Sequence, residues 1–195
     1  IHIDQRIIDN LNNADERAID GLKRLEDLYK EYQSRNISFD IFKASIKPFE
    51  AKYILNLDKY GKLTLVEKDM KWIDMILEFR IFKLGSLRFQ YFPMDYVEIE
   101  RDSFDFMPLS KEAKEIFYEG RPLINVHIQK DTDLTLAAVE DSFNKARAFF
   151  NKQFPEVQFE GFVTRTWLIY PGIVSLLNPS SNIYQFAKRF EVIAS

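Results

Sequence analysis

Residues suited to binding an anion lie where a predicted strand leads into a predicted helix, between residues 121 and 154. Residues 123–128 read Leu-Ile-Asn-Val-His-Ile, an alternation that predicts a strand with Asn125 and His127 on its polar face. A short polar loop follows and ends at Thr135, and threonine commonly caps helix N-termini. The first backbone N–H groups of a helix lack partners within it and attract phosphate or carboxylate. The stretch therefore predicts an anion site, with an ordinary strand–helix unit as the alternative.

The helix that must position this loop is predicted from Thr135 to Gln153. Its apolar residues recur at spacings of three and four, and the predicted inward face consists of Leu136, Val139, Phe143, Ala146 and Phe150. Pro155 lies just beyond the predicted end of the helix. We expect this helix to pack across a sheet that contains the preceding strand.

The remaining chain predicts mainly helices first and strands later. Pro48 is expected to divide one of the early helical stretches. Helices are expected over residues 15–35, 39–47, 49–60, 69–85 and 110–118. Strands are expected over residues 86–92, 96–101 and 158–168, in one sheet with 123–128. This order predicts an α+β or α/β layered domain, with Trp72 and Trp167 in its core.

The strand over residues 86–92 is expected to bury only one of its faces. It alternates Leu87, Phe89 and Tyr91 with Arg88 and Gln90. Such alternation is typical of a strand with an apolar side towards the core and a polar side towards solvent.

The composition argues against several classes of protein. The net charge of −3 gives no electrostatic reason to expect nucleic acid as a partner. Because the chain has no cysteine and only two histidines, His2 and His127, we predict no disulfide and no metal site. The longest apolar run, near residues 166–177, contains Pro171 and Gly172 and is too short to cross a bilayer. We therefore expect a cytoplasmic protein without a membrane partner.

Several motifs, taken in order, resemble one family of acyltransferases. Residues 80–89 read RIFKLGSLRF, which resembles the run R-x-F-R-L-G-x-L-x-F of acyltransferase domain-containing proteins with a GNAT-like C-terminal domain. The resemblance continues through residues 125–128, 146–155, 167–168 and 181–190. The motifs cover roughly residues 70–190. The ordered set is far more specific than any single motif.

The resemblance implies an α+β fold, a GNAT-like mixed β-sheet flanked by helices, with extra N-terminal helices. Residues 1–60 would be a helical N-terminal segment, made of the end of an N-terminal domain and the first GNAT helices. Residues 61–195 would be the GNAT-like acyltransferase domain. A GNAT fold normally adds two more strands after its fourth helix, whereas this chain stops five residues after Phe190. We therefore expect this domain to be incomplete at its C-terminus and the native protein to be longer.

In this fold the loop before the helix binds the pyrophosphate of acyl-CoA, so the resemblance implies acetyl-CoA or a longer acyl-CoA as co-substrate. The implied cofactor-binding residues are Ile128, Gln129, Lys130, Asp131, Thr132, Asp133, Leu134 and Thr135. The superfamily loop reads Gln or Arg, two residues, Gly, one residue, then Gly or Ala. Gln129 fits this pattern, but Thr132 and Leu134 replace the small residues that let the backbone approach phosphates. The two carboxylates of the loop would also repel a pyrophosphate.

Acyl transfer to an amine needs a base, a donor to the oxyanion and an acid for the leaving thiolate. His127, on the polar face of the predicted strand and one residue before the loop, is the candidate base. The superfamily often places a tyrosine on the last helix, so the resemblance implies Tyr184 as the acid. The acceptor would be a small-molecule or peptide amine. The alternatives are a histidine hydrogen-bonded at a strand end and a packed tyrosine. Glu98 and Glu100 share a strand face, where they are either exposed carboxylates or a base acting through water.

Two hypotheses about function follow from these residues. The first is an acyl-CoA-dependent N-acyltransferase acting on an unknown amine. The second is a catalytically inactive GNAT-like scaffold that binds a protein partner or another anionic ligand. His127 and the strand–loop–helix favour the first hypothesis, and the missing loop glycines favour the second.

Overall fold

A computed structural model of the chain describes residues 3–96 and 110–193. The chain divides into two compact units, Ile1–Lys83 and Leu84–Ser195. The first unit is mainly helical, and the second carries most of the sheet and the strand–loop–helix stretch.

Four α-helices build the first unit: α1 Gln5–Asp9, α2 Glu16–Ser34, α3 Phe39–Tyr60 and α4 Glu67–Leu77. The predicted break at Pro48 is wrong, because α3 runs through this proline. The buried face of α3 continues on both sides of the proline and includes Phe42, Ile46, Phe49, Tyr53 and Leu57. Burial of each such side chain is worth about 1.5–3 kcal/mol, which together outweighs the cost of about 3 kcal/mol for an interior proline.

The prediction of a helix as far as Gly85 is also wrong. Helix α4 ends at Leu77, and strand β1 occupies Ile81–Leu84. Phe79, between them, has a φ of 58°, the left-handed conformation that terminates helices. Aromatic and branched side chains in β1 then favour an extended backbone.

Among the described residues, the sheet has four strands in the order β1-β2-β3-β4, where β2 is Leu87–Pro93, β3 is Pro122–His127 and β4 is Gly161–Val163. Strand β3 pairs antiparallel with β2 and parallel with β4. The prediction that these segments share one sheet is therefore confirmed. Of the strand predicted over 96–101, Tyr96 is helical and the other residues lie outside the described part of the chain.

Strand β4 is much shorter than the predicted segment 158–168. After it, the hydroxyl of Thr164 donates to the carbonyl of Val126 at 2.8 Å, so a side chain replaces the next ladder bond. A 3₁₀ turn then covers Trp167–Ile169. Trp167 is 70% exposed, which contradicts its prediction as a core residue.

Strand β2 is buried on both faces, contrary to the prediction of one solvent-facing side. Arg88 and Gln90 are 3% and 1% exposed, as buried as the apolar residues between which they alternate. The alternation shows which side chains share a face, but the tertiary fold decides which faces are covered.

Helix α6, Leu136–Gln153, covers the face of the sheet that carries Phe89 and Phe162. Phe143 of α6 contacts both rings edge to face, at centroid distances of 5.7 Å and 4.7 Å. The predicted helix and its packing across the sheet are confirmed. Leu136 is 61% exposed, however, and does not join the inward face. Helical side chains lean towards the N-terminus, and the first residue has no preceding turn to cover.

The described part of the second unit also contains three short helices: α5 Lys111–Ile116, α7 Pro171–Val174 and α8 Asn182–Ala187. A small apolar cluster of Phe92, Met94 and Leu123 packs with Phe117, which caps the C-terminus of α5. Helix α8 packs against α6, and Arg189 just after it forms an ion pair with Glu140 at 2.9 Å.

The turn between β1 and β2 is fixed to α6 through Ser142. The backbone N–H of Ser86 donates to Ser142 Oγ at 2.8 Å, and this hydroxyl donates to the carbonyl of Ala138 at 2.7 Å. Gly85 has a φ of 68°, and a Cβ at this residue would lie 2.4 Å from Ser142 Oγ. The turn therefore needs glycine for two reasons, the backbone conformation and the close approach of α6.

We expect Gly85→Ala to lower the free energy of unfolding by about 2–5 kcal/mol, since it combines left-handed strain with overpacking. Gly120→Ala is the matched control, because Gly120 has a φ of 81° but no atom within 4 Å of the added Cβ. This control should lose only about 1 kcal/mol. Urea denaturation of both variants checks the difference, and equal losses would contradict tight packing of the turn on α6.

Candidate functional site

The loop between β3 and α6 closes on itself through Thr132. The Thr132 hydroxyl donates to the Gln129 carbonyl at 2.7 Å and accepts from the Gln129 N–H at 3.1 Å. Asp131 has a φ of 62°, so the left-handed residue of the turn is an aspartate. Neither Thr132 nor Leu134 has a positive φ. The loop therefore forms its turn without glycine at the two positions where the superfamily pattern has small residues.

The first turn of α6 presents backbone donors to solvent. Thr135 occupies the N-cap position, as predicted, but its side chain makes no capping hydrogen bond. Within the described part of the chain, the N–H groups of Leu136, Ala137 and Ala138 have no acceptor, because the first helical bond is donated by Val139. Leu136 and Ala137 are exposed. Together with the positive end of the helix dipole, these donors can bind an anion.

Acidic side chains lie beside these donors. Asp133 Oδ1 accepts a hydrogen bond from the Thr135 N–H at 2.9 Å, and this bond holds the pKa of Asp133 below its usual range. Asp131 and Lys130 are exposed on the same loop. The loop thus offers one cation and two carboxylates at the helix N-terminus, a mixed environment for a phosphate.

Strands β2 and β3 carry a row of polar side chains on the sheet face opposite α6. In the register of the two strands, Arg88 lies opposite His127 and Gln90 lies opposite Asn125. Arg88 Nε donates to the side-chain oxygen of Gln129 at 2.6 Å. The predicted base and the first residue of the predicted cofactor loop therefore both contact side chains of β2.

His127 is hydrogen-bonded to Gln90. Its Nε2 lies 2.8 Å from Gln90 Oε1, and Asn125 Nδ2 donates to the same oxygen at 3.2 Å. An amide oxygen can only accept, so the proton of the neutral imidazole is on Nε2. The nitrogen of the Gln90 amide, Nε2, is buried and has no partner among the described residues.

The environment of His127 lowers its pKa to about 4, chiefly because burial disfavours the charged ring and also because of the positive charges of Arg165 and Arg88. At neutral pH His127 is therefore unprotonated. This is the protonation state that a base requires, although a pKa so far below the working pH makes it a weak one.

The structure does not bring Tyr184 to His127. Tyr184 lies in α8, is half-buried and forms no side-chain hydrogen bond within the described residues. The Lys188 ammonium lies 5.6 Å from the centre of its ring. Helix α8 packs against α6, which covers the opposite face of the sheet from His127. Glu98 and Glu100 lie outside the described residues.

The sequence pattern does not indicate Arg88 and Gln90 as parts of the candidate site. Their alternation with Leu87, Phe89 and Tyr91 predicts them on the solvent side of a half-buried strand. A signal was present, because Arg88 and Gln90 have the same two-residue spacing as Asn125 and His127. Two adjacent strands with polar pairs at this spacing can form one polar cluster when they pair in register.

Comparisons with known proteins agree with this fold. The sequence model of the family described as GNAT-like C-terminal domain matches residues 81–195. No curated protein matches the sequence. Two similar solved structures are an acyltransferase in complex with decanoyl-CoA and an acyltransferase in complex with decanoyl-CoA and teicoplanin. Each is 20% identical with a TM-score of 0.61, and the match covers 86% of this chain and 45% of that chain.

The fold is thus that of the GNAT-like α+β proteins. More than half of the chain matches the family model, and the protein belongs to the GNAT-like C-terminal domain family. The chain spans less than half the length of the similar solved structures. Among the described residues, no helix is long and apolar enough to cross a membrane, and no cluster of His, Asp and Glu could hold a metal ion.

We expect NMR titration to give a pKa for His127 near 4. Because the chain has only two histidines, comparison with His127→Gln assigns the resonance. Between pH 6.5 and 4 the unfolded chain takes up a proton that the folded chain does not. The contribution of His127 to the free energy of unfolding is therefore fully present above pH 6.5. It decreases as pH falls, by up to about 1.4 kcal/mol per pH unit.

The stability difference between the wild type and His127→Gln should show this slope, since titrating carboxylates common to both proteins cancel. A pKa near 6.5 and a pH-independent difference would contradict the burial of the ring.

Proposed function

We propose that this protein is an acyl-CoA-dependent N-acyltransferase that acts on an amine acceptor. The observation that carries the proposal is the first turn of α6, directly after β3, with three backbone N–H groups that lack an acceptor within the described residues. Membership of the GNAT-like C-terminal domain family supports it. Further support comes from similar solved structures of acyltransferases with decanoyl-CoA, CoA or octanoyl-CoA.

The cofactor site that we propose runs from Ile128 to Thr135 and into the first turn of α6. The N–H groups of Leu136, Ala137 and Ala138 would donate to the pyrophosphate, as helix N-termini do in other phosphate sites. Lys130 would contribute a positive charge. Gln129 would keep its side chain on Arg88 and contribute through its place in the turn.

In the proposed reaction the amine nitrogen attacks the thioester carbonyl, the C–S bond breaks and an amide forms. His127 would take the proton that the amine loses, and Tyr184 would supply the proton that the CoA thiolate takes. For Tyr184 to do so, its hydroxyl must reach the thiolate in the acyl-CoA complex. The negative charge of a bound CoA would offset Arg88 and Arg165 and raise the pKa of His127 towards the working pH.

The second candidate function is an inactive scaffold that binds a protein partner or another anion. Two observations favour it. The Thr135 N–H already donates to Asp133, and the Asp131 carboxylate lies on the same short loop. Both carboxylates would oppose a pyrophosphate at the helix N-terminus.

Calorimetric titration with acetyl-CoA, octanoyl-CoA and decanoyl-CoA distinguishes the two candidates. We expect binding of at least one of them, and a tighter complex with Asp131→Asn and Asp133→Asn. Asparagine tolerates a positive φ at residue 131 and can still accept the Thr135 N–H at residue 133, so each variant removes charge but keeps the turn. Each should raise the affinity about 2- to 5-fold at low salt, and less at high salt.

Lys130→Gln is the opposite control and should weaken binding by a similar factor. If neither the wild type nor the two asparagine variants bind any acyl-CoA while remaining folded, the enzyme proposal is wrong and the scaffold remains.

We expect His127→Ala to lower kcat by about 10²–10⁴-fold while the KM for acyl-CoA changes little, because a base acts only in the chemical step. The chain has no cysteine, so a thiol reagent detects released CoA without background from the protein. The amines tested as acyl acceptors should include a glycopeptide such as teicoplanin, which is present in one of the similar solved structures. A loss of thermal stability at unchanged kcat would identify a structural histidine instead.

A further inference from the structure

Gln90 is the most deeply buried polar side chain of β2, and its amide is only partly paired. Its residue is 1% exposed. The carbonyl oxygen accepts from two donors on β3, His127 Nε2 at 2.8 Å and Asn125 Nδ2 at 3.2 Å. The amide nitrogen is buried and has no partner among the described residues. Buried amides normally satisfy both ends, so this one requires an explanation.

Three polar groups meet at this point. The two donors of β3 lie close to each other, with Asn125 Nδ2 3.3 Å from His127 Nε2. Both lie within hydrogen-bond distance of one acceptor, Gln90 Oε1, and the Gln90 amide nitrogen has no partner among the described residues.

The hydrogen bond to Gln90 has a consequence for the imidazole. Because Nε2 donates its proton to Gln90, the basic lone pair of the neutral ring is on Nδ1. The charged groups that act on the ring are Arg88, opposite it in register on β2, and Arg165, after β4. Both are positive. The amide of Gln90 therefore fixes the tautomer without adding a negative charge that would protonate the ring.

We propose that Gln90 is a positioning residue that holds His127 as the Nε2–H tautomer and so keeps the basic lone pair of the neutral ring on Nδ1. The inference rests on the proposed function of His127 as a base.

The test compares two substitutions of similar size at one residue. Gln90→Met removes the acceptor oxygen, whereas Gln90→Glu keeps an acceptor oxygen and adds a negative charge. With Gln90→Met we expect kcat to fall by about 10²–10⁴-fold at an unchanged KM for acyl-CoA. The ¹⁵N shifts of the two ring nitrogens should also move towards the averaged values of an unfixed tautomer. With Gln90→Glu the Nε2–H tautomer should persist, and the pKa of His127 should rise by about 1–3 units.

Gln153→Met is the matched control, because Gln153 is 6% exposed and lies on α6, which covers the other face of the sheet. It should leave the ring shifts and kcat unchanged, even if it lowers stability.

Unchanged ring shifts and kcat in Gln90→Met would overturn the proposal. If Gln90→Met does not fold, Gln90→Glu decides alone, and an unshifted His127 pKa in that variant overturns the proposal. If the wild type releases no CoA with any acyl-CoA and amine, the proposed function fails. The NMR measurements then still decide whether Gln90 holds the tautomer.

Discussion

The second unit depends on the packing of Phe143 between Phe89 and Phe162. These three rings join helix α6 to strands β2 and β4 with edge-to-face contacts that bury large apolar area. The contact fixes where α6 lies over the sheet and therefore where its first turn begins, directly after the loop that follows β3. The contact also determines which side chains lie on the other face of the sheet, because neighbouring residues of a strand point in opposite directions. Once Phe89 faces α6, Arg88 and Gln90 must face away from it.

Burial of the polar row on that opposite face costs free energy, which indicates a role other than stabilising the fold. A buried donor without a partner, such as the Gln90 amide nitrogen, costs about 1–3 kcal/mol. The same row lowers the pKa of His127 through burial and through the charge of Arg88. An apolar side chain at residue 90 would avoid the first cost. Sites where local rules are broken at such a cost are commonly functional sites.

The loop before α6 shows how a turn can form without its usual glycines. Asp131 supplies the one left-handed residue of the loop, and Thr132 closes the turn with its hydroxyl. The backbone conformation is therefore not what separates the two candidate functions. The difference is one of charge, since the helix donors attract an anion and the carboxylates of Asp131 and Asp133 repel it.

The sequence by itself determined the local elements whose pattern is strong. Strand β3, helix α6 and the family motifs were predictable, because their apolar spacing is set by residues close in the chain. The sequence did not determine which faces of β2 are covered, that α3 continues through Pro48, or that β1 replaces the end of a helix. Only the tertiary structure decided these three features. The burial of Arg88 and Gln90, for example, depends on segments that are distant in the chain. The Gln90–His127 bond likewise exists only because β2 and β3 pair in one register, which residues 37 apart in sequence cannot reveal locally.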